Sequence, residues 1–195
     1  MNGDNRRDMP PCDHGVEIPS AWVRRWARVI PSGGRVLDVA CGQGRHLRLL
    51  ASLGFAAVGV DRDEQAVSGL RGLAGVEVRV ADIEGGAWPF SPEDFDGVVV
   101  TNYLHRPIFP HLVAALRRGG VLIYETFALG NERYGRPSNP DFLLRPGELL
   151  SGVEPLSVVA FEQGLVTSPK RALVQRICAV RGEAGPSGPQ AIALE

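Results

Sequence analysis

The chain reads as a single doubly wound α/β domain with seven strands and helices on both faces of the sheet, and three features of the sequence carry that reading. Short apolar runs rich in Val, Leu and Ile alternate with stretches whose apolar residues recur at helical spacing. The first such run passes through a glycine turn into a helix. Several runs end in an acid, which marks the carboxyl ends of the strands as the polar, ligand-facing edge of the sheet. With 195 residues, 44% of them apolar and 22% charged, the chain has the composition of one globular domain with a substantial core.

Taken in order, residues 1–15 are polar and rich in Pro and Gly and are expected to be a flexible N-terminal segment, with the domain itself over 16–181. Trp22, Val23, Trp26, Ala27 and Ile30 have helical spacing, so a helix is expected over 21–30, opened by Pro19-Ser20 and ended by 31–34. Residues 35–39 form the first strand. Gly42 and Gly44 then make a turn whose missing Cβ atoms permit positive φ and close approach of a ligand. The next helix begins near Gly44 and ends at Gly54, and its unpaired N-terminal N–H groups suit an anion.

Residues 56–60 form a second strand ending in Asp61, which completes a right-handed β-α-β unit. Asp63 is the expected N-cap of a helix reaching Gly75. A third strand over 76–81 delivers Asp82-Ile83, and a loop over 84–94 leaves little room for a crossover helix. The fourth strand covers 95–102, and a helix with Ile108, Leu112, Ala115 and Leu116 inward closes at Gly119-Gly120. The fifth strand, 121–126, sends Tyr124 and Glu125 to opposite faces. The long connection over 127–142 is expected to be a substrate lid bearing Arg, Tyr and Asn side chains. A short helix from Arg145 precedes strands over 156–161 and 172–180, and the tail over 182–195 is expected to be disordered.

Asp38-x-x-x-Gly42-x-Gly44 at the first strand tip resembles the first motif of the class I S-adenosylmethionine (SAM)-dependent methyltransferases. Asp61 and Asp82-Ile83, at the ends of the next two strands, extend the resemblance over about residues 20–181. What it implies is a sheet order of 3-2-1-4-5-7-6 with strand 7 antiparallel, and SAM as cofactor. The implied cofactor residues are Asp38, Gly42 and Gly44 around the methionine half, Asp61 at the ribose, Asp82 and Ile83 at the adenine, with Ala40, Arg62 and Asn102 beside them at the strand tips. The Cys41-Gly-Gln-Gly-Arg45 run is also similar to that of the small tellurite-resistance type, in which metalloid or thiol acceptors occur.

The implied reaction is in-line displacement of the sulfonium methyl onto an acceptor, most simply a small molecule. RNA or protein acceptors, or a noncatalytic SAM-binding module, are the alternatives. His105, Tyr124, Glu125 and Tyr134 are the candidate catalytic groups for an acceptor that must lose a proton. Residues 102–106 depart from the Asn/Asp-Pro-Pro-Tyr pattern of enzymes that methylate exocyclic amines of nucleobases. An NAD-dependent oxidoreductase is disfavoured by Asp38 and by Leu47 at the third glycine position. The net charge of −1 does not favour nucleic acid as a partner. The widely spaced Cys12, Cys41 and Cys178 suggest no disulfide framework, and Cys12 with His14 lacks a second ligand pair, so no metal site is expected. No apolar run reaches membrane-spanning length, and a cytoplasmic location is expected.

Overall fold

The computed structural model describes residues 18–182. The expectations for residues 1–15, for Cys12 and His14, and for the tail beyond Gly182 lie outside the described residues. The strands β1 (Arg35–Val39), β2 (Ala56–Asp61), β3 (Val76–Val80), β4 (Phe95–Thr101), β5 (Leu116–Phe127), β6 (Ser157–Val166) and β7 (Ala172–Val180) make one sheet. Its order is β3-β2-β1-β4-β5-β7-β6, as the resemblance implied. β1 to β5 are parallel, and β7 runs antiparallel to both β5 and β6.

Alternation along the central strands builds two apolar layers. Leu37, Val98, Leu122 and Ala179 pack with Ile108 and Leu112 on one face. Val36, Val99, Ile123 and Cys178 pack with Trp22, Trp26, Leu47 and Leu50 on the other. The second layer is covered by α1 (Ala21–Trp26), α2 (Arg45–Ser52) and α3 (Glu64–Ser68), and the first by α4 (Phe109–Ala115) and α5 (Glu148–Gly152). No helix among the described residues is long and apolar enough to cross a membrane.

Three expectations about the elements need correction. The helix expected to reach Gly75 stops at Ser68, because the following stretch holds Gly69 and Gly72, the latter at φ +84°. Leu116 belongs to β5 and not to the preceding helix: its ψ of 137° is extended and it pairs with Phe95 across the sheet. The segment expected to be a lid is tied to the framework. Buried Asn131 accepts from Leu173 N–H and donates to the Pro137 carbonyl. Arg106 donates to the carbonyls of Asp141 and Leu143 while its guanidinium grips both oxygens of Glu148, at 2.6 and 3.0 Å. A bidentate, partly buried pair of this kind is stronger and more directional than an exposed one.

Candidate functional site

The strand order reverses between β1 and β4, so their carboxyl ends flank an open crevice. Ala40 and Asn102, the residues just beyond these two strands, both hold left-handed backbone, at φ 54° and 55°. Non-glycine residues rarely adopt this conformation, and it is concentrated at ligand sites. Between them the chain makes its glycine turn. Gly42 sits at φ +52°, and a Cβ there would meet nothing within 4 Å, so its backbone faces open space that a ligand can fill. Gly42 N–H donates to Asp61 Oδ2 at 2.7 Å, which locks the turn to the end of β2.

Gly44 has a different task. It caps α2 at φ +78°, and a Cβ there would lie 2.5 Å from a methyl of buried Leu70. Replacing Gly44 with Ala combines left-handed strain with overpacking and is expected to destabilise the fold by about 2–4 kcal/mol. Thermal unfolding of the variant checks this.

Asp38 is the most unusual group of the site. It is 1% exposed, and its Oδ2 has no hydrogen-bond partner among the described residues. Burial pushes its carboxyl up to about 8; the Arg45 charge opposes that shift and the Asp61 charge adds to it. The Arg45 charge does not satisfy Oδ2 with a hydrogen bond, and the ammonium of an amino-acid ligand would supply both a donor and a second positive charge. The neighbouring Cys41 thiol is pushed up by burial and then by the Asp38 and Asp61 charges, so it packs and does not act as a nucleophile.

Asp61 also accepts from Asp63 N–H at 2.9 Å, which leaves each of its oxygens one further acceptor site for a ribose hydroxyl. Asp63 caps α3 as expected, accepting from Gln65 and Ala66 N–H. At the end of β3, Asp82 Oδ1 accepts from Glu84 and Gly85 N–H, and these bonds hold its carboxyl below the usual range, helped by Arg62 and His105. Ile83 packs half-buried against the core beside it, and Arg62 reaches Glu84 at 3.7 Å. An apolar wall next to an exposed carboxylate fits a purine with an exocyclic amine.

The comparisons with known proteins agree with this geometry. A protein family described as a methyltransferase domain matches residues 36–120, the span from β1 into β5. Over that span the chain matches a methyltransferase domain, and its sheet order is the one the class I SAM-dependent resemblance implied. A tRNA U34 carboxymethyltransferase of Methylococcus capsulatus is 32% identical over 71% of this chain and 51% of the relative. A protein-L-isoaspartate O-methyltransferase of Chlorobaculum tepidum is 33% identical over 53% of this chain and 49% of its own. The chain thus spans about half the length of the curated relatives it matches. Among solved structures, the TehB protein of Haemophilus influenzae superposes with a TM-score of 0.67 at 18% identity, over 83% of this chain and 61% of that one. At that identity the likeness shows the shared fold.

The cofactor of the methyltransferase family is SAM, and the residues present fit it: an orphaned buried acid, an open glycine cradle and two further acids at successive strand tips. The candidate catalytic groups are placed very differently from one another. Tyr124 is fully buried, packs edge-on against Phe109 and donates its hydroxyl to the Tyr103 carbonyl at 2.9 Å. Burial also raises its hydroxyl pKa, so Tyr124 sits in the core with its hydroxyl already engaged. Tyr124→Phe is expected to cost about 1–1.5 kcal/mol of stability. Methyl-transfer turnover of that variant should stay within about twofold of the wild type, since the lost bond is structural.

Glu125 reaches the opposite face, where it accepts from Ser20 Oγ at 2.8 Å and from Arg176 Nη1 at 3.2 Å. It ties α1 to the sheet. Tyr134 is exposed, with the Arg171 guanidinium 5.3 Å from its ring centre. His105 lies half-buried just beyond β4, and its charge acts on Asp82 at the end of β3.

Sequence reasoning placed Ser20 only as the opening of the first helix, where it caps α1, and did not single out His46 and Thr101. His46 is 2% exposed and links the start of α1 to the tip of β4. Burial, and then the Arg45 charge, push its imidazole down to about 3. This stabilisation of the neutral ring is present above the ordinary value of about 6.5 and is lost as the pH falls through about 3. One sequence signal was available: His46 precedes Leu50 by one helical turn and so shares its buried face.

Proposed function

We propose that this chain transfers the methyl group of SAM to a small-molecule acceptor admitted across the tips of β4 and β5. The observation that carries the cofactor half of the reading is the buried, unpartnered Oδ2 of Asp38 beside the open Gly42 cradle. Bound SAM supplies an electrophilic methyl on a sulfonium that is already a good leaving group. Asp38 holds the ammonium, Asp61 the ribose hydroxyls, and Asp82 with Ile83 the adenine. Holding donor and acceptor in line can contribute on the order of 7–11 kcal/mol to lowering the barrier.

The acceptor half rests on which side chains are already engaged. The Tyr124 hydroxyl and both Glu125 oxygens have partners within the fold, and of the remaining candidates only His105 borders β4. This favours an acceptor that is nucleophilic without a strong base, such as a thiolate, or one for which His105 alone suffices.

RNA is the second reading. It is favoured by the curated relatives named tRNA U34 carboxymethyltransferase and by Arg133, Arg136, Lys170 and Arg171, gathered at the same end of the sheet. Isothermal calorimetry with SAM and with NAD tests the cofactor: NAD binding without SAM binding overturns the proposal. Transfer of labelled methyl to a cell extract, fractionated into small molecules, RNA and protein, tests the acceptor. Label confined to the RNA fraction overturns the small-molecule reading in favour of the second.

A further inference from the structure

Under α1 lies a chain of polar groups that the proposed reaction does not yet use. Ser20 N–H points at His46 Nε2 across 3.1 Å. A backbone amide can only donate, so Nε2 is the bare nitrogen and the proton of the neutral ring sits on Nδ1. Nδ1 is 3.3 Å from Thr101 Oγ1 and therefore donates to it. Arg45 Nη2 reaches the same oxygen at 3.4 Å.

A hydroxyl oxygen has two acceptor sites, and here both are filled by donors. The Thr101 proton must then be given to something else, yet among the described residues it has no acceptor. Thr101 is only 9% exposed. It ends β4 one residue past the Val39–Val100 pair, and it lies two residues beyond Val99, the register partner of Asp38, and so on the same face as both. Its hydroxyl is therefore on the Asp38 face of the sheet, at the crevice where Ala40 and Asn102 hold their left-handed backbone. A buried donor without an acceptor, next to a guanidinium, calls for an anionic oxygen.

We infer that Thr101 donates its hydroxyl proton to the carboxylate of the cofactor's amino-acid half, with Arg45 as the adjacent cation and His46 as the residue that fixes the direction of the hydroxyl. The inference rests on the methyltransferase reading of the site and deepens it. Asp38 and the Thr101–Arg45 pair would then address the two charges of one zwitterion from a single face. His46 touches no ligand; it is a positioning residue, held in one tautomer by the start of α1. Docking of α1 and the grip on the carboxylate are thereby joined through one imidazole.

The test compares, by calorimetry on the full chain, the binding of SAM with that of decarboxylated SAM, which keeps the ammonium and the nucleoside. Thr101→Val is expected to weaken SAM binding about tenfold, the worth of one hydrogen bond to a charged group, and to leave the decarboxylated ligand within about twofold. Thr101→Ser keeps the hydroxyl and should keep the wild-type discrimination. His46→Gln, whose amide can accept from Ser20 and donate to Thr101, should also keep it, and His46→Leu should lose it. Equal weakening of both ligands by Thr101→Val, or none, overturns the inference. Undiminished discrimination in His46→Leu overturns the positioning role. If Thr101→Val does not fold, Thr101→Ser against Thr101→Ala reads the same difference. Wild-type protein that binds neither ligand is a separate failure, and it overturns the methyltransferase reading itself.

Discussion

Asp38→Asn should make the protein more stable at alkaline pH and nearly unable to bind SAM. The sign follows from the raised carboxyl. Because the folded state holds the Asp38 proton up to about 8 and the unfolded chain releases it near 3.8, the wild type loses stability as the pH rises between those values. Above that range the native fold carries a buried charge that the Arg45 charge only partly offsets and whose Oδ2 has no hydrogen-bond donor among the described residues. Asparagine is nearly isosteric and uncharged, so at pH 9 the variant is expected to gain about 2–4 kcal/mol over the wild type. Denaturant melts at pH 5, 7 and 9 should show the gap widening with pH.

Cofactor binding should move the opposite way. An amide cannot neutralise an ammonium, and at least a 100-fold weakening for SAM is expected, the scale of removing one partner of a buried ion pair. Wild-type affinity should rise from pH 6 to pH 8, with proton release on binding, as the ligand ammonium draws Asp38 into its charged form. Unchanged SAM affinity in the variant would remove Asp38 from the site. A group that destabilises the fold and is retained by its ligand chemistry is the usual form of the stability–activity conflict.

Asp61→Ala carries the second large effect, and for two reasons that act together. The carboxylate is the expected partner of the ribose hydroxyls, and hydrogen bonds to a charged group contribute about 1.5–3 kcal/mol each. It is also the acceptor for Gly42 N–H and Asp63 N–H, so its removal frees both the glycine turn and the start of α3. A loss of SAM affinity of about 100-fold or more is expected, with a stability loss of about 1–2 kcal/mol. Asp61→Asn keeps an oxygen that can accept from Gly42, so it should recover much of the stability and little of the affinity. If Asp61→Asn bound SAM like the wild type, the ribose contact would be refuted while the turn-locking role stood.

Much of the fold was legible because it follows from local pattern. The strand over 35–39 coincides with β1, and the sheet order that the Asp38, Asp61 and Asp82 resemblance implied is the order observed. The caps at Asp63 and Gly44 were legible for the same reason, since side-chain oxygen geometry and left-handed backbone are properties of one or two residues. Gly69 and Gly72 could have shortened the expected third helix, and apolar spacing outweighed them.

What could not be read was which polar groups the fold had already engaged. Tyr124 and Glu125 are adjacent in sequence and looked equally available. One ends against the Tyr103 carbonyl, and the other between Ser20 and Arg176. The early start of β5 depends on pairing with Phe95, and the fixing of the expected lid on Arg106, Asn131 and Glu148, contacts that cross between distant elements.

The sequence by itself determined the strands, the glycine turn and the three acids at their tips, because these depend on periodicity and on residues a few positions apart. Only the tertiary structure decided that Asp38 Oδ2 has no hydrogen-bond partner among the described residues, that Tyr124 already has one, and that His46 joins Ser20 to Thr101. A hydrogen bond is set by distance and desolvation between groups that the sheet order brings together, and spacing along the chain does not encode either quantity.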